Sequence, residues 1–103
     1  MRKITKDSVR AFFNAEKFRQ SNMLVEVLPH VTILKYQGNS IAFRYNGIKK
    51  TILITNCGWE TNTTKERLNG VIQAAGLNYG LIQKDWTWYL DGEEWDGSLI
   101  ELN

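Results

Sequence analysis

Two segments of the chain repeat their apolar residues at helical spacing. The first predicts an amphipathic helix over residues 6–20, with Thr5 as its N-cap. Its apolar positions are Val9, Phe12, Phe13 and Phe18. The second segment opens with a capping box formed by Thr63 and Glu66, and it ends at Gly76. The pattern therefore predicts a helix near the start of the chain and another in its second half.

Between these helices lie four short runs rich in branched and aromatic residues, which predict β-strands. They cover residues 23–28, 31–36, 40–46 and 48–55. The turns between them fall at Pro29–His30, Gly38–Asn39 and Asn46–Gly47, and an Asn-Gly pair is typical of a two-residue hairpin loop.

The end of the chain predicts a β-hairpin in which Trp86, Trp88 and Leu90 alternate before a turn at Asp91–Gly92. Together, these elements predict an α+β fold: a helix, a four-strand antiparallel meander, a second helix and a C-terminal hairpin. We expect residues 1–103 to form one domain, because no linker or low-complexity segment divides them.

Treating both glycine turns as two-residue loops fixes the strand register, and the register sorts the side chains between two faces. The predicted inner face collects Leu34, Tyr36, Ile41, Phe43, Tyr45, Ile48, Ile52 and Ile54. The predicted outer face carries three cations, namely Lys35, Arg44 and Lys49. Like charges side by side on a sheet are unfavourable, so either an anion or screening by water should accompany them.

A second basic patch is predicted where the second helix begins. Thr64, Lys65 and Arg67 lie beside backbone N–H groups that have no partner within a helix, and such groups bind phosphate. Ordinary capping of the helix is the alternative. Together with the three cations on the sheet, these residues form a candidate site for nucleic acid or another phosphate-bearing ligand.

The charge of the chain is unevenly distributed. The net charge is +2, yet residues 1–20 hold six bases against two acids, and residues 85–103 hold six acids and no base. The simplest interpretation is two solvated faces of opposite sign. The alternatives are that the two ends pair with each other, that the basic part binds an acidic partner, or that the acidic end docks on a basic one. In a docking role, Trp95 is the candidate anchor, because exposed tryptophans are frequent hot spots.

Other chemistry has little support in the sequence. His30 is the sole histidine and lies in a predicted turn. Cys57 is the sole cysteine and cannot form a disulfide within the chain, which is typical of proteins in reducing compartments. We therefore expect an intracellular protein that is not an enzyme and has no cofactor, metal site or membrane association.

Several motifs are similar to a family of small proteins encoded by tailed bacteriophages. They are Thr61–Asn69, Trp88–Gly92 and Glu94–Gly97. The chain departs from the family pattern at Gly70–Gly76, where members have a Leu-Pro-Gly-Val stretch, which puts the end of the second helix in question. The resemblance implies an accessory phage protein that acts in the cytoplasm of the infected bacterium.

Three functions stay open at this point. The leading hypothesis is a non-enzymatic binding module for nucleic acid or another phosphate-bearing ligand. The alternatives are an inhibitor or adaptor that binds a host protein, and a sponge that holds a small signalling nucleotide between chains. The sequence does not give the oligomeric state.

Overall fold

The computed structural model describes residues 1–47 and 50–102. In chain order, the helices and strands are α1 (Lys3–Asn14), β1 (Phe18–Gln20), β2 (Met23–Val27), β3 (Val31–Tyr36), β4 (Asn39–Tyr45), β5 (Thr51–Ile54), α2 (Asn62–Ala74), β6 (Leu81–Lys84), β7 (Thr87–Leu90), β8 (Glu93–Glu94) and β9 (Ile100–Glu101). This order confirms the predicted α+β class. Within the described ranges, no helix has the length and apolar character needed to cross a bilayer.

The strands form two antiparallel sheets. The larger sheet has the order β1-β2-β3-β4-β5-β9 and contains the predicted four-strand meander as β2 to β5. The smaller sheet has the order β6-β7-β8 and adds a strand to the predicted C-terminal hairpin.

Both helices lie on one side of the larger sheet, which we call the inner face, and the opposite side is the outer face. Buried residues of the helices and of both sheets join in one apolar cluster. Its members with the least exposure are Phe12, Met23, Val25, Leu34, Ile41, Ala42, Ile54, Leu68, Val71, Ile72 and Trp88. This cluster is the hydrophobic core of the fold.

Helix α1 ends at Asn14, well before the predicted end at residue 20. Ala15 takes a left-handed backbone conformation with φ 53°, and its N–H bonds back to carbonyls of the last turn. The N–H of Glu16 does the same. Because these bonds satisfy carbonyls that the helix leaves open, the chain turns away and continues as β1. Phe18 therefore belongs to the sheet and not to the helix.

Both predicted helix starts differ from the structure. Arg2 is the N-cap of α1, and Thr5 is buried within the helix. Thr61, and not Thr63, is the N-cap of α2, where its hydroxyl oxygen accepts a hydrogen bond from the N–H of Thr64.

Two predicted positions at which elements end are confirmed. Gly76 has φ 80° directly after α2, the left-handed conformation that glycine adopts without steric cost. Asp91–Gly92 forms the turn between β7 and β8, and both of its residues have positive φ.

The turn between β3 and β4 lies one residue earlier than predicted. Tyr36 pairs with Asn39, so that Gln37–Gly38 forms the two-residue loop. A register shift next to Leu34 then brings this residue opposite Ala42. Such a shift is the mark of a β-bulge, which adds one residue to one strand.

The difference of one residue moves side chains to the opposite face of β4. Arg44 and Ala42, predicted outside, are buried on the inner face. Phe43 and Tyr45, predicted inside, point to the outer face. Because side chains alternate along a strand, an error of one position reverses the assignments from Ala42 onward, whereas Ile41, beside the register shift, stays in the core as predicted.

The connection between β4 and β5 is longer than the two-residue loop predicted at Asn46–Gly47. Tyr45 pairs with Thr51 instead of Ile48. Ile48 and Lys49, which the prediction placed on β5, lie outside the described residues.

The hairpin between β6 and β7 places one tryptophan in its turn. Lys84 pairs with Thr87, so Asp85 and Trp86 are the two loop residues, with φ values of 51° and 68°. The prediction that Trp86 and Trp88 lie on the same face of one strand is therefore wrong, because Trp86 lies in the turn.

Candidate functional site

Arg44 lies on the inner face and binds the end of helix α1. Its Nη2 donates to the carbonyl of Phe13 at 2.9 Å, and its Nε donates to the carbonyl of Phe12 at 3.4 Å. The last carbonyls of a helix lack partners and form the negative end of its dipole, so a cation is favourable there. The prediction that Arg44 shares an open face with Lys35 is wrong, since Arg44 caps a helix.

Arg67 and Glu66 connect the two helices. Nη1 of Arg67, a residue only 1% exposed, donates to Oε1 of Glu66 at 2.6 Å and to the hydroxyl of Thr5 at 2.6 Å. This hydroxyl donates to the same Oε1 at 2.5 Å, and the backbone N–H of Arg2 donates to Oε2 at 3.2 Å. These bonds hold the Glu66 carboxylate between the helices, which explains why it does not form the predicted capping box.

The environment of Glu66 changes its protonation. Partial burial acts to raise the pKa of the carboxyl, but hydrogen bonds from Thr5, Arg67 and the Arg2 backbone outweigh it, and the pKa lies below its ordinary value. The carboxylate is therefore charged at neutral pH. Arg67 also lies 5.6 Å from the centre of the Tyr36 ring, a cation–π distance.

Of the three residues predicted to bind phosphate at the start of α2, only Lys65 reaches the surface. Thr64 is buried, and its hydroxyl lies 2.9 Å from that of Thr61. Arg67 is committed to the link between the helices. Ordinary capping thus accounts for this helix start.

The other two predicted cations, Lys35 and Lys49, do not form a basic surface with Lys65. Lys35 lies on the outer face, as predicted, but its Nζ is 3.4 Å from Oε1 of Glu26. Lys49 lies outside the described residues. Because Arg44 and Arg67 are inside the molecule, the structure does not bring the predicted anion-binding residues together on one surface.

Trp95, the predicted protein-binding anchor, is buried with 7% exposure. Its ring centre lies 6.2 Å from that of Trp88, and its Nε1 donates to the carbonyl of Ser98 at 2.9 Å. The prediction of an exposed Trp95 is wrong because the ring packs into the hydrophobic core beside Trp88. Trp88 itself belongs to the core, with 2% exposure.

The most exposed tryptophan is Trp86, at the tip of the β6–β7 hairpin. It is 88% exposed, compared with 50% for Trp59 in the loop before α2. A shallow depression of about 390 Å³ beside it is lined by Lys65, Gln83, Asp85 and Trp86. We call Trp86 and its turn partner Asp85 the hairpin tip.

The hairpin tip combines two unfavourable features in one residue. A fully exposed indole leaves apolar surface in water, and a bulky residue with positive φ is a steric outlier. Strained residues cluster where a protein binds or reacts. A sequence signal for this turn exists, because Asp is common at the first loop position of such hairpins. The alternation of Trp86 with Trp88 concealed that signal.

His30 and Cys57, the remaining side chains that could carry chemistry, lie in surroundings that do not activate them. His30 is exposed in the turn between β2 and β3, as predicted. The thiol of Cys57 lies 3.1 Å from the carbonyl oxygen of Ser40, and partial burial raises its pKa, which disfavours the reactive thiolate. Within residues 1–47 and 50–102, no three His, Cys, Asp or Glu side chains are grouped so that they could hold a metal ion.

Comparison with known proteins places the chain among small proteins of tailed phages. Residues 1–101 match the family model described as Kyanoviridae Gp96 protein. The chain therefore belongs to the Kyanoviridae Gp96 protein family, whose members come from cyanophages, and this confirms the resemblance to tailed-phage proteins. No curated protein and no solved structure matches the chain.

Proposed function

We propose that this phage protein is a non-enzymatic binding module that recognises a protein partner through its hairpin tip. The observation that carries the proposal is the backbone and exposure of Trp86, with φ 68° and 88% of its surface in water. A left-handed conformation costs a residue other than glycine roughly 1–2 kcal/mol. A partner that buries the indole would recover apolar surface, and tryptophan is among the residues most enriched at binding hot spots.

The charge around the hairpin tip indicates the chemistry of the partner. Residues 81–96 hold five acids and a single base, Lys84. Glu93 and Glu94 are exposed on the strand that completes the same small sheet. An acidic surface repels phosphate groups and attracts basic ones, so the partner presents an apolar pocket with a cationic rim.

Nucleic acid is the competing ligand. The buried arginines argue against nucleic acid as the ligand. Guanidinium groups that bind helix carbonyls or carboxylates inside the fold cannot neutralise phosphates. The proposal places the protein in the cytoplasm of the infected host and assigns it no catalytic step, in agreement with a role in host take-over.

Affinity capture from infected cells tests the proposal. The tagged wild-type chain, Trp86→Ala and Trp59→Ala are compared after nuclease treatment of the lysate. Trp59→Ala is the matched control, because it removes a second exposed indole outside the hairpin tip. We expect a stoichiometric protein partner with the wild type and with Trp59→Ala that is lost with Trp86→Ala.

Binding of the purified partner gives the magnitude. A hot-spot tryptophan contributes about 2–4 kcal/mol, so Trp86→Ala should weaken binding by roughly 30-fold or more. A partner that Trp86→Ala retains, or a ligand that nuclease removes, contradicts the proposal.

A further inference from the structure

The outer face of the larger sheet carries an inverted pattern of apolar and polar residues. On β3, Thr32 points inward and Ile33 outward. On β4, Arg44 points inward, whereas Phe43 and Tyr45 point outward. The outer positions of a sheet that faces water are usually polar. Where Thr32 pairs with Arg44 on the two central strands, however, the outer side is the more apolar one.

These apolar side chains form one continuous surface. Ile33, Phe43 and Leu53 lie directly opposite one another across three strands. Among residues 1–47 and 50–102, strand register and the alternation of side chains assign to the outer face Leu24, Leu28, Val31, Ile33, Phe43, Tyr45 and Leu53. None of them belongs to the apolar core cluster or to the residues packed against it. Leu28 and Tyr45 are 41% and 42% exposed. The other five are half-buried, and a continuous apolar surface of this kind that is partly open to solvent marks an interface.

The charges at the border of this surface identify its occupant. Arg19 lies on the outer side of β1, at one edge of the sheet, because it pairs with Leu24. Glu101 lies on the outer side of β9, at the opposite edge, because it pairs with Leu53. Between them, Lys35 and Glu26 form their own ion pair at 3.4 Å. The four charges cancel, and the two edges carry opposite signs.

This arrangement is complementary to itself. When two copies face each other about a two-fold axis parallel to the strands, the β1 edge of one lies over the β9 edge of the other. Arg19 and Glu101 lie two residues, roughly 7 Å, apart along the strand direction, so a small tilt of this axis brings them opposite each other at both ends of the interface while the apolar centres meet. A strongly basic or acidic partner would match only one edge.

The flat area of the sheet is smaller than a standard interface, and the relief of its side chains adds to it. Six strands about 4.8 Å apart span roughly 29 Å, and the longest strands give a length of roughly 20 Å. The resulting area is on the order of 500 Å² before the relief of the side chains is counted. A standard interface buries about 800 Å² per partner.

We propose that the protein is a homodimer in which two copies pack their outer sheet faces together. The two sheets lie about 10 Å apart, as in a β-sandwich. The dimer presents two hairpin tips at once, so a partner with two sites is bound more tightly by avidity.

Sedimentation equilibrium over a concentration series tests the dimer. The wild type should approach twice the 11.9 kDa mass of the chain. Phe43→Lys should sediment as a folded monomer, because it places charges in the apolar centre. Ile82→Lys is the control, since it alters an apolar residue of 59% exposure on the smaller sheet and should leave the dimer intact.

Circular dichroism establishes that each variant is folded. If Phe43→Lys does not fold, Tyr45→Lys at the 42% exposed position decides instead. A wild type that stays monomeric at every concentration overturns the proposal, and so does a folded Phe43→Lys or Tyr45→Lys that dimerises like the wild type.

A charge exchange tests the two-fold arrangement. Arg19→Glu and Glu101→Arg should each weaken self-association by about tenfold, since each replaces two attractions in the dimer by repulsions. An equimolar mixture of the two variants restores both pairs and should associate more tightly than either alone. A mixture no tighter than its components overturns the arrangement. Neither result depends on Trp86, so the dimer and the proposed function fail separately.

Discussion

The two faces of the larger sheet show opposite uses of polar and apolar side chains. On the inner face, Arg44 donates hydrogen bonds to carbonyls at the end of α1. On the same side of the sheet, Arg67 and Glu66 of α2 are hydrogen-bonded to each other and connect the two helices. On the outer face, Phe43 and Tyr45 point away from the core.

The comparison shows that burial follows the available partners more than the polarity of a residue. A buried arginine is tolerated when carbonyls or a carboxylate receive its N–H groups. An apolar residue can stay outside when the face it belongs to is an interface. Destabilising the inner face should therefore damage the fold, whereas altering the outer face or the hairpin tip should leave the fold intact.

The largest expected effect is that of Arg67→Met. The change removes the cation that faces Glu66 and the hydrogen bond from Arg67 to Thr5 of the other helix, so we expect a loss of about 3–5 kcal/mol in the free energy of unfolding. Urea denaturation measures it. Lys65→Met, two positions earlier on the same helix, is the control and should change the stability by less than about 0.5 kcal/mol. Equal losses in the two variants would show that Arg67 does not hold the helices together.

Arg44→Met should have a smaller effect. It removes two hydrogen bonds to the last turn of α1 and the favourable charge at the helix end, together about 1–2 kcal/mol. Lys35→Met removes a cation of the same sheet on its outer face, where an exposed ion pair is worth at most about 1 kcal/mol. If Lys35→Met is the more destabilising variant in urea, the assignment of the two faces is wrong.

The two faces also show which features of the fold can be predicted from the sequence. The α+β class, the meander and the confirmed turn at Asp91–Gly92 follow from local patterns, because spacing and turn chemistry act over few residues. The faces of β4 do not, since they depend on a bulge and on a turn at Gln37–Gly38. Both sequence registers leave apolar residues on each side, so hydrophobicity alone does not distinguish them.

The candidate site shows the same limit. The pattern identified tryptophans in the second half of the chain as important, but it selected Trp95 in place of Trp86. Trp95 is buried because it joins the core cluster, whose members come from both helices and both sheets. Likewise, the role of Arg67 depends on Thr5, which is 62 residues away in sequence. Contacts between distant segments carry no local signal.

Trp86→Gly tests the strain at the hairpin tip. We compare it with Trp86→Ala, because both variants lack the indole and differ mainly in backbone freedom. Glycine adopts φ 68° without steric cost, so Trp86→Gly should be more stable than Trp86→Ala by about 1 kcal/mol in thermal or urea denaturation. An alanine variant as stable as the glycine variant would mean that the turn relaxes once the indole is gone, and that the tip holds no strain.

The smallest effect concerns pH and returns to the inner face. The pKa of Glu66 is lower in the folded chain than in the unfolded one, where a glutamate titrates near about 4.3. The charged Glu66 carboxylate therefore stabilises the fold fully above that value. This stabilisation is lost as the pH falls through the lower pKa of the folded state. Glu66→Gln should reduce the loss of melting temperature between about pH 5 and pH 3. Thr5→Val removes one of the hydrogen bonds that lower the pKa, and it should give an intermediate slope. If all three proteins lose stability in parallel over this range, the carboxylate does not contribute through its charge, and the link between the helices rests on Arg67 alone.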